Sequence, residues 1–370
     1  MIILEKVEIE GFKSIRHMSL DLRALNILIG ANGSGKSNFL SFFKLLNYML
    51  TEALQLHVER SGGANAILHY GTKQTTQMSC NLWFTTQSGL NYYHMRLVYG
   101  ANDVLIFADE QVNFGRTHAP KRPPISLGAG HKESKLRLDV DVPQSAVKTS
   151  EVIRSLMSQW RFYQFHDTSD ESRLKQQASI HDNRVLKADA GNLAAFLYML
   201  KSKFPMHFHR IVSVIGQVAP YFGDFVLEPM KLNGERIILE WKEKNSNNIF
   251  SASQLSDGTL RFMALTTLLL QPEPPEMIVI DEPELGLHPY AIRTLATLIK
   301  EASSRSQVLV STQSNSLINY MNPEDVIVVD REDGQSTFRR LNGNNLDDWL
   351  KDYSLGELWE KNIFGGAPRV

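Results

Sequence analysis

The segment that most constrains this chain is GANGSGKS at residues 30–37, which matches the pattern G-x-x-x-x-G-K-[ST]. An apolar stretch, NILI, precedes it, and a helical pattern, SNFLSFFKLL, follows it. This order predicts a strand, a glycine turn with inward N–H groups and a helix N-terminus, which together form a phosphate cradle. Lys36 would reach the β- and γ-phosphates, and the Ser37 hydroxyl would bind Mg²⁺. A glycine turn that binds nothing is the alternative.

A pair of carboxylates follows another apolar stretch. In MIVIDEP, Asp281 and Glu282 come directly after residues typical of a buried strand. Because a strand end is a rigid position, we expect Asp281 to hold Mg²⁺ through water and Glu282 to polarise an attacking water as general base. A turn that only caps the strand is the alternative.

Composition limits the class of protein. The chain has 370 residues, 43% of them hydrophobic, which is enough for one large domain or two small ones. The net charge of -1 means that any nucleic-acid site must be a local patch. A single cysteine, Cys80, cannot form an internal disulfide. The N-terminus lacks a signal-peptide pattern, and no apolar run approaches the ~20 residues of a membrane span. These features predict a soluble cytoplasmic protein that does not engage a membrane.

Hydrophobic patterning predicts an α/β chain. Alternation in MIILEKVEIEGF, QMSCNLWFTTQ and NYYHMRLVYG indicates strands, and the Ser-Gly between the last two predicts a hairpin. MIVIDEP and SQVLVST predict buried strands on either side of a helix, YAIRTLATLIKEA. Residues 113–150 are poor in core residues and rich in Pro, Gly, Lys and Arg, so we expect a long surface loop or a partly disordered insert.

A polar turn, QLSDGTLRF at residues 254–262, precedes another apolar helical stretch. Ser256 and Gly258 stand at the predicted helix start, where free N–H groups favour an anion. Because the chain already has one phosphate cradle, a second anion site suggests a second molecule. The γ-phosphate would then lie between the cradle of one protomer and this turn of another.

These segments together resemble a known superfamily. LSDGT resembles the signature of ABC ATPases, from which Asp257 departs. IEGFKSI followed by IGANGSGKSN resembles RecF and the heads of SMC proteins. MIVIDEPELGLHP and VLVSTQSN resemble RecF-like bacterial AAA ATPases, a group that includes the ATPase half of OLD-family nucleases. The resemblance implies an α/β fold: a P-loop ABC-type ATPase head with an N-terminal mixed β lobe, a compact helical/β insertion and no long coiled coil.

The resemblance also implies a domain organisation. We expect a single head over residues 1–330 and a C-terminal tail over 331–370 that packs on the head or on a partner. The expected parts of the head are a P-loop half (1–112), a basic insert (113–150), a middle helical/β lobe (151–250) and a signature and Walker B half (251–330). In the tail, Trp349, Leu358 and Trp359 look exposed among acidic residues, and this segment is expected to dock on the head or on a partner.

Individual roles follow from the same resemblance. Gln164 in WRFYQFHD is the candidate for a glutamine that touches Mg²⁺, with Gln159 as the alternative. A third possibility is that both are ordinary polar residues at a strand edge. His288 in ELGLHP is at the position of a loop that crosses the dimer interface, although it could simply cap the next helix. Gln313 in STQS is at the switch position, and because glutamine cannot carry a proton charge, we expect slow, partner-regulated hydrolysis.

The predicted site has three groups of residues. The predicted nucleotide-binding residues are Gly30, Asn32, Gly33, Ser34, Gly35, Lys36, Ser37, Asn38, Ser256, Gly258 and His288. The predicted catalytic residues are Lys36, Glu282 and Gln313, and the predicted metal ligands are Ser37, Gln164 and Asp281. The implied ligands are ATP and Mg²⁺.

The implied partner is a second copy of the chain, in a homodimer or higher homo-oligomer that closes around two MgATP. The leading hypothesis is a nucleotide-gated switch in bacterial anti-phage defence that acts on a separate effector, a nuclease or a toxin. The alternatives are a RecF-like ATPase of DNA repair or maintenance and a nucleotide-held scaffold with negligible turnover.

Two basic clusters are candidates for DNA or partner binding, although solvated surfaces explain both equally well. The clusters are Arg116, Lys121, Arg122, Lys132, Lys135 and Arg137 in the predicted loop, and Lys201, Lys203, His207, His209 and Arg210 further along.

Overall fold

The computed structural model describes residues 3–116, 123–136, 142–343 and 346–367. The chain forms two compact units: the first contains Met1–Trp160 and Asn322–Val370, and the second contains Arg161–Met321.

The described residues form runs of strands and runs of helices. The strands are β1 (Ile3–Phe12), β2 (Ile15–Asp21), β3 (Leu25–Ile29), β4 (Gln77–Thr86), β5 (Gly89–Gly100), β6 (Val104–Gly115), β7 (Ile125–Gly128), β8 (Trp160–Tyr163), β9 (Ala178–Ser179), β10 (Phe222–Val226), β11 (Arg236–Ile237), β12 (Glu240–Glu243), β13 (Ile249–Ser251), β14 (Met277–Asp281), β15 (Gln307–Thr312), β16 (Val326–Glu332) and β17 (Gln335–Arg340). The helices are α1 (Lys36–Leu50), α2 (Leu54–Arg60), α3 (Ala64–Ile67), α4 (Gln144–Ser158), α5 (Leu193–Lys203), α6 (Pro205–Val218), α7 (Asp257–Leu270), α8 (Pro289–Ala302), α9 (Asn315–Ile318) and α10 (Leu355–Glu360).

The first unit contains an antiparallel sheet in the order β2-β1-β4-β5-β6-β7. Most alternate residues of β4 and β5 are buried, which turns one face of the sheet toward the core. Helices α2 and α4 pack on this sheet, and α1 packs on both helices. The ring of Phe43 in α1 lies 5.5 Å from that of Trp160, and the ring of Phe84 in β4 lies 6.0 Å from it. Strands β4 and β5 pair antiparallel up to Thr86 and Gly89, which confirms the predicted hairpin.

A second group of strands in the first unit positions the glycine turn. Strand β3 runs parallel to β16, which pairs with β17 in an antiparallel hairpin. All residues of β3 are buried, as its apolar sequence predicts. The chain therefore leaves the core at Ile29, and the turn begins at Gly30.

The second unit contains two parallel strands, β14 and β15, paired from Met277–Gln307 to Asp281–Ser311. Helix α7 is buried from Leu260 onward on nearly every side, and it packs against α6 and α8. Because parallel strands end at the same edge, the residues after Asp281 and after Ser311 come together there. A small antiparallel sheet, β10-β12-β13, completes this unit with the paired strands β9 and β11.

The structure differs from the expected insert at 113–150. Strand β6 continues to Gly115, β7 occupies 125–128, and α4 begins at Gln144. Ala146, Ile153 and Leu156 of α4 are buried, because the helix concentrates its few apolar residues on one face. The expectation of a long loop is therefore wrong for these parts.

The expected tail boundary at 330/331 also falls inside a regular element, since β16 runs to Glu332 and turns into β17. Leu358 and Trp359, which look exposed in the sequence, are buried in the first unit, whereas Trp349 is 45% exposed. Among the described helices none exceeds 15 residues, and none is long and apolar enough to cross a bilayer.

Candidate nucleotide site

The glycine turn joins β3 to α1 in the predicted way. Gly33 has a φ of 77° and Gly35 a φ of 118°, both in the left-handed region that favours glycine. A Cβ at Gly33 would meet open space, whereas a Cβ at Gly35 would overlap the hydroxyl of Ser336. The two glycines therefore serve different purposes: one permits the turn, and the other also permits a close approach of β17.

The turn presents unbonded donors. In the described part of the chain, the backbone N–H groups of Asn32, Gly33, Gly35 and Ser37 have no protein acceptor. The buried hydroxyl of Ser34 has no hydrogen-bond partner either. Such donors at a helix N-terminus fit phosphate oxygens, since they supply both hydrogen bonds and partial positive charge.

Lys36 and Ser37 are the first two residues of helix α1, and they differ in their exposure to solvent. Lys36 is 5% exposed, and its ammonium donates to the carbonyl oxygens of Gly30 and Ala31, the latter at 3.1 Å. The Ser37 side chain is exposed. The positive charge of Lys36 therefore lies within the turn, and the hydroxyl of Ser37 is accessible to a metal ion.

A chain of hydrogen bonds supports the turn from behind. The amide of Asn38 donates to Ser14 Oγ at 2.7 Å, Ser14 Oγ lies 2.7 Å from Ser336 Oγ, and Ser336 Oγ donates to the Ser34 carbonyl at 2.6 Å. Each hydroxyl has one proton to donate. Because Ser336 Oγ donates to the Ser34 carbonyl, Ser14 Oγ must donate to Ser336 Oγ, so the chain has a single direction. Sequence reasoning missed Ser14 and Ser336, because nothing local links them to the motif.

Glu282 has an unusual backbone conformation. Its φ is 44°, which is strained for a residue other than glycine, and such strain is concentrated at functional sites. Its N–H donates to the Ser311 carbonyl at 2.8 Å, and its carboxylate accepts a hydrogen bond from the side-chain amide of Gln313. The structure therefore brings together two of the predicted catalytic residues, and a neutral donor orients the carboxylate.

Gln164 is connected to Asp281 through a histidine that sequence reasoning missed. His166 Nε2 lies 3.0 Å from the Asp281 carbonyl oxygen, so Nε2 carries the proton. Nδ1 can then accept from the Gln164 amide, 3.3 Å away. The alternative candidate, Gln159, lies at the end of α4 and donates to the Ser155 carbonyl at 3.4 Å.

Glu284 is a third acidic residue, which follows Asp281 and Glu282 in the chain. One of its carboxylate oxygens accepts from the Thr312 hydroxyl at 2.5 Å and from the Gln313 N–H at 3.4 Å. The other oxygen is buried without a partner. Burial raises the pKa of Glu284, the hydrogen bonds from Thr312 and Gln313 oppose that shift, and the charge of Glu282 adds to it.

The signature turn begins α7. Ser256 is its N-cap and accepts from the Thr259 N–H at 3.2 Å, while the Ser256 side chain stays exposed. A Cβ at Gly258 would overlap the main-chain oxygen of Gly286. Gly258 is therefore needed for packing within the second unit, whatever else it binds. His288 is the N-cap of α8, and its Nδ1 accepts from the Tyr290 N–H at 3.3 Å, so the capping alternative is realised.

Arg261 ties the signature helix to two loops. Its guanidinium donates to the carbonyl oxygens of Phe165 at 2.9 Å, His166 at 2.8 Å and Leu285 at 2.7 Å. The planar fork of arginine suits several fixed carbonyl acceptors at once. Arg261 thereby holds both His166 and the chain after Glu282.

The side chains predicted to bind metal are of chemical types that Mg²⁺ accepts. The predicted ligands are a hydroxyl, an amide and a carboxylate, all of them oxygen donors that Mg²⁺ accepts together with waters and phosphate oxygens. Within the described residues no group of three or more His, Cys, Asp or Glu side chains forms a dedicated metal site. The chemistry fits an ion held mainly by a nucleotide and water.

Two cations of the second basic cluster form ion pairs, which the sequence alone does not show. Arg210 forms a bidentate pair with Glu301, and Lys201 lies 3.9 Å from Asp224. In the predicted loop, Glu133 accepts from the N–H groups of Leu54 and Gln55. Lys121, Arg122 and Arg137 lie outside the described residues.

Comparison with known families identifies the chain. The sequence profile of a family described as "AAA domain, putative AbiEii toxin, Type IV TA system" matches residues 100–319, which is more than half of the chain. The chain belongs to this family of ATPase domains. A family of unknown function, DUF2813, matches residues 2–60.

Relatives of the chain include SMC proteins. The "Chromosome partition protein Smc" of Methanocaldococcus jannaschii is 34% identical over 89 residues, a match that covers 24% of this chain and 7% of that protein's length. A structure of an Smc head bound to the C-winged helix domain of ScpA is similar with a TM-score of 0.61 and 16% identity, over 94% of this chain and 99% of that one.

A Pyrococcus furiosus Smc head domain, bound to the C-terminal domain of ScpA, gives a TM-score of 0.57 at 15% identity, over 95% of this chain and 99% of that one. The Thermotoga maritima SMC head gives 0.52 at 14% identity, over 92% and 99%. These likenesses confirm the predicted fold class, a mixed α/β head of the SMC type.

Proposed function

We propose that this member of the AAA family binds MgATP at Gly30–Ser37 and hydrolyses it slowly. The observation that carries the proposal is the set of unbonded N–H donors in the glycine turn, with the Lys36 ammonium inside it. Four donors and a cation in one turn suit a polyphosphate better than a single carboxylate. Membership of an ATPase-domain family supports the same assignment.

The residues take distinct roles in this proposal. Lys36 binds the β- and γ-phosphates, Ser37 and Asp281 hold Mg²⁺, and Glu282 accepts a proton from the attacking water. When bound, Mg²⁺ would neutralise charge on the phosphate oxygens. Gln313 orients the Glu282 carboxylate but cannot carry a proton charge, and for that reason we propose slow turnover.

The proposed assembly is a head-to-tail dimer around two MgATP. Ser256 supports this assignment because its hydroxyl and the start of α7 are exposed, so they remain accessible to a phosphate on another protomer. His288 is also exposed, although its Nδ1 is engaged as a helix cap. ATP would favour the closed dimer only by binding it better than the open form, and hydrolysis would reopen it.

The proposed role is a nucleotide-gated switch in defence against phage, acting on a separate nuclease or toxin. The description of the family, which names a toxin and a type IV toxin–antitoxin system, supports this role. A RecF-like role on DNA is the second candidate, favoured by the exposed ammonium group of Lys203. The ion pairs of Arg210 and Lys201 weaken that alternative, because paired cations release fewer counterions from DNA.

The test is the solution mass of the Glu282→Gln protein with and without MgATP, measured by light scattering. We expect ATP to double the mass, and we expect Ser256→Arg in the same background to abolish the change. Asp257→Asn, an exposed neighbour, is the matched control and should leave the doubling intact. A mass that ATP does not change would remove the switch and leave the nucleotide-held scaffold.

A further inference from the structure

An open groove in the first unit lies apart from every residue proposed above. It has a volume of about 890 Å³ and runs between the β4–β5 turn, the end of β6 and helix α4. This volume is within the usual range for small-molecule sites, ~300–1,000 Å³. The groove is therefore large enough for one small ligand.

Asn91 is the most informative residue of the groove. It lies opposite Phe84 on β4 and Phe114 on β6, on the face of the sheet that also buries Tyr93. Asn91 is only 2% exposed, yet its side-chain amide forms no hydrogen bond with any residue that the structure describes. Buried amides are almost always bonded, so one that faces a groove without a partner indicates a ligand position.

The remaining walls are aromatic, apolar and cationic. Phe114 is 39% exposed, and Val152 and Leu156 present successive turns of α4 to the groove. Arg116 and Lys148 also line it, and neither has an ion-pair partner in the described ranges. No carboxylate is among the described lining residues, so the groove favours an anion.

These groups match the parts of one class of ligand. An asparagine amide can donate and accept at once, which is the pairing that the N6 and N7 edge of adenine requires. An exposed phenylalanine ring can stack on a base, and arginine and lysine bind phosphate. We propose that this groove binds a free adenine mononucleotide as a second ligand, independently of Gly30–Ser37.

The test separates this groove from the glycine turn. AMP, which lacks β- and γ-phosphates, is titrated by calorimetry into the full-length Lys36→Ala protein. We expect binding, and we expect Asn91→Leu in the same background to weaken it about tenfold, the loss of a paired base edge. Lys148→Glu, at an exposed position of α4, should weaken it to a similar extent through the phosphate. Lys203→Glu, on α5 of the other unit, is the matched charge control and should bind AMP normally.

A melting curve for each variant separates binding from folding. Asn91→Leu removes an unpartnered amide, so we expect its melting temperature to be unchanged or higher while AMP binding falls. If Asn91→Leu does not fold, Lys148→Glu alone decides. The proposal is overturned if the Lys36→Ala protein does not bind AMP, or if AMP binds equally well to both groove variants. Tenfold tighter binding of a ten-nucleotide oligoadenylate would instead assign the groove to nucleic acid and also overturn it.

Discussion

Two turns of this chain share a local plan but are built from different parts. Gly30–Ser37 and Asp281–His288 each follow a buried strand and precede a helix. The first turn offers backbone N–H groups, whereas the second offers carboxylate side chains. Distant residues bond both the Glu282 carboxylate and the main-chain oxygens of Asp281 and Leu285. A site made of backbone depends on which conformations its residues allow, and a site made of side chains depends on its partners. Substitutions should therefore act differently in the two turns.

The largest effect should come from the carboxylate of the second turn. If Glu282 is the general base, Glu282→Gln should lower kcat for ATP hydrolysis about 10²–10⁴-fold and leave ATP affinity nearly unchanged. Glu273→Gln, an exposed glutamate before β14, is the matched control and should keep full activity. Turnover is measured by phosphate release and affinity by calorimetry. Equal turnover in Glu282→Gln and wild type would mean that the proposed base is wrong.

The backbone character of the first turn can be tested with its two glycines. Gly35→Ala should lower the free energy of unfolding by about 3 kcal/mol, since its φ is unfavourable and the new methyl group overlaps Ser336. Gly33 also has a positive φ, but a Cβ there would meet open space. Gly33→Ala should therefore lower the free energy of unfolding by only about 1 kcal/mol. Urea denaturation measures both. Equal losses would show that the approach of β17 contributes nothing.

Arg261 tests how far the second turn depends on remote partners. Arg261→Lys keeps the charge but loses the planar fork, so it should lower the free energy of unfolding by about 3 kcal/mol. Arg293→Lys, on the exposed side of α8, should change it by less than about 0.5 kcal/mol. Urea denaturation again provides the measurement. A lysine that preserved stability would contradict the proposed role of the guanidinium.

The same contrast explains what could be predicted from sequence. The glycine turn was predictable because its spacing, strand and helix are all local, and the helix and strand bounds agree with the pattern. Ser336 was not predictable, since it lies 302 positions from the Ser34 carbonyl that it bonds. His166 and Arg261 were missed for the same reason, because their hydrogen bonds join segments that only folding brings together.

Helix α4 and the buried tail show a second reason why sequence patterns did not predict all of the structure. A helix with few apolar residues is easily mistaken for a loop until its buried stripe is seen against a sheet. Trp359 sits among acidic and polar neighbours, which suggested exposure, yet the ring is buried in the first unit. Amphipathic segments of six residues, such as α10, carry too little periodicity to reveal which side packs.

The smallest expected effect concerns the buried carboxylate of Glu284 in the second turn. Burial raises the pKa of Glu284, so the folded protein binds this proton more tightly than the unfolded chain does. Stability that depends on this group is therefore present at low pH. It falls as pH rises from the ordinary value of 4.5 through the raised pKa of the folded state. Glu284→Gln removes the titration while its carbonyl can still accept from Thr312.

The free energy of unfolding of Glu284→Gln, relative to wild type, should therefore rise across that pH window and level off above it. Urea denaturation at several pH values measures the difference, and Glu273→Gln, whose side chain is exposed, should show no such rise. A difference that stays flat or falls with pH would mean that the ionised carboxylate is well accommodated beside Glu282. In that case burial would impose no electrostatic penalty on Glu284, and the two turns would differ only in the geometry of their groups.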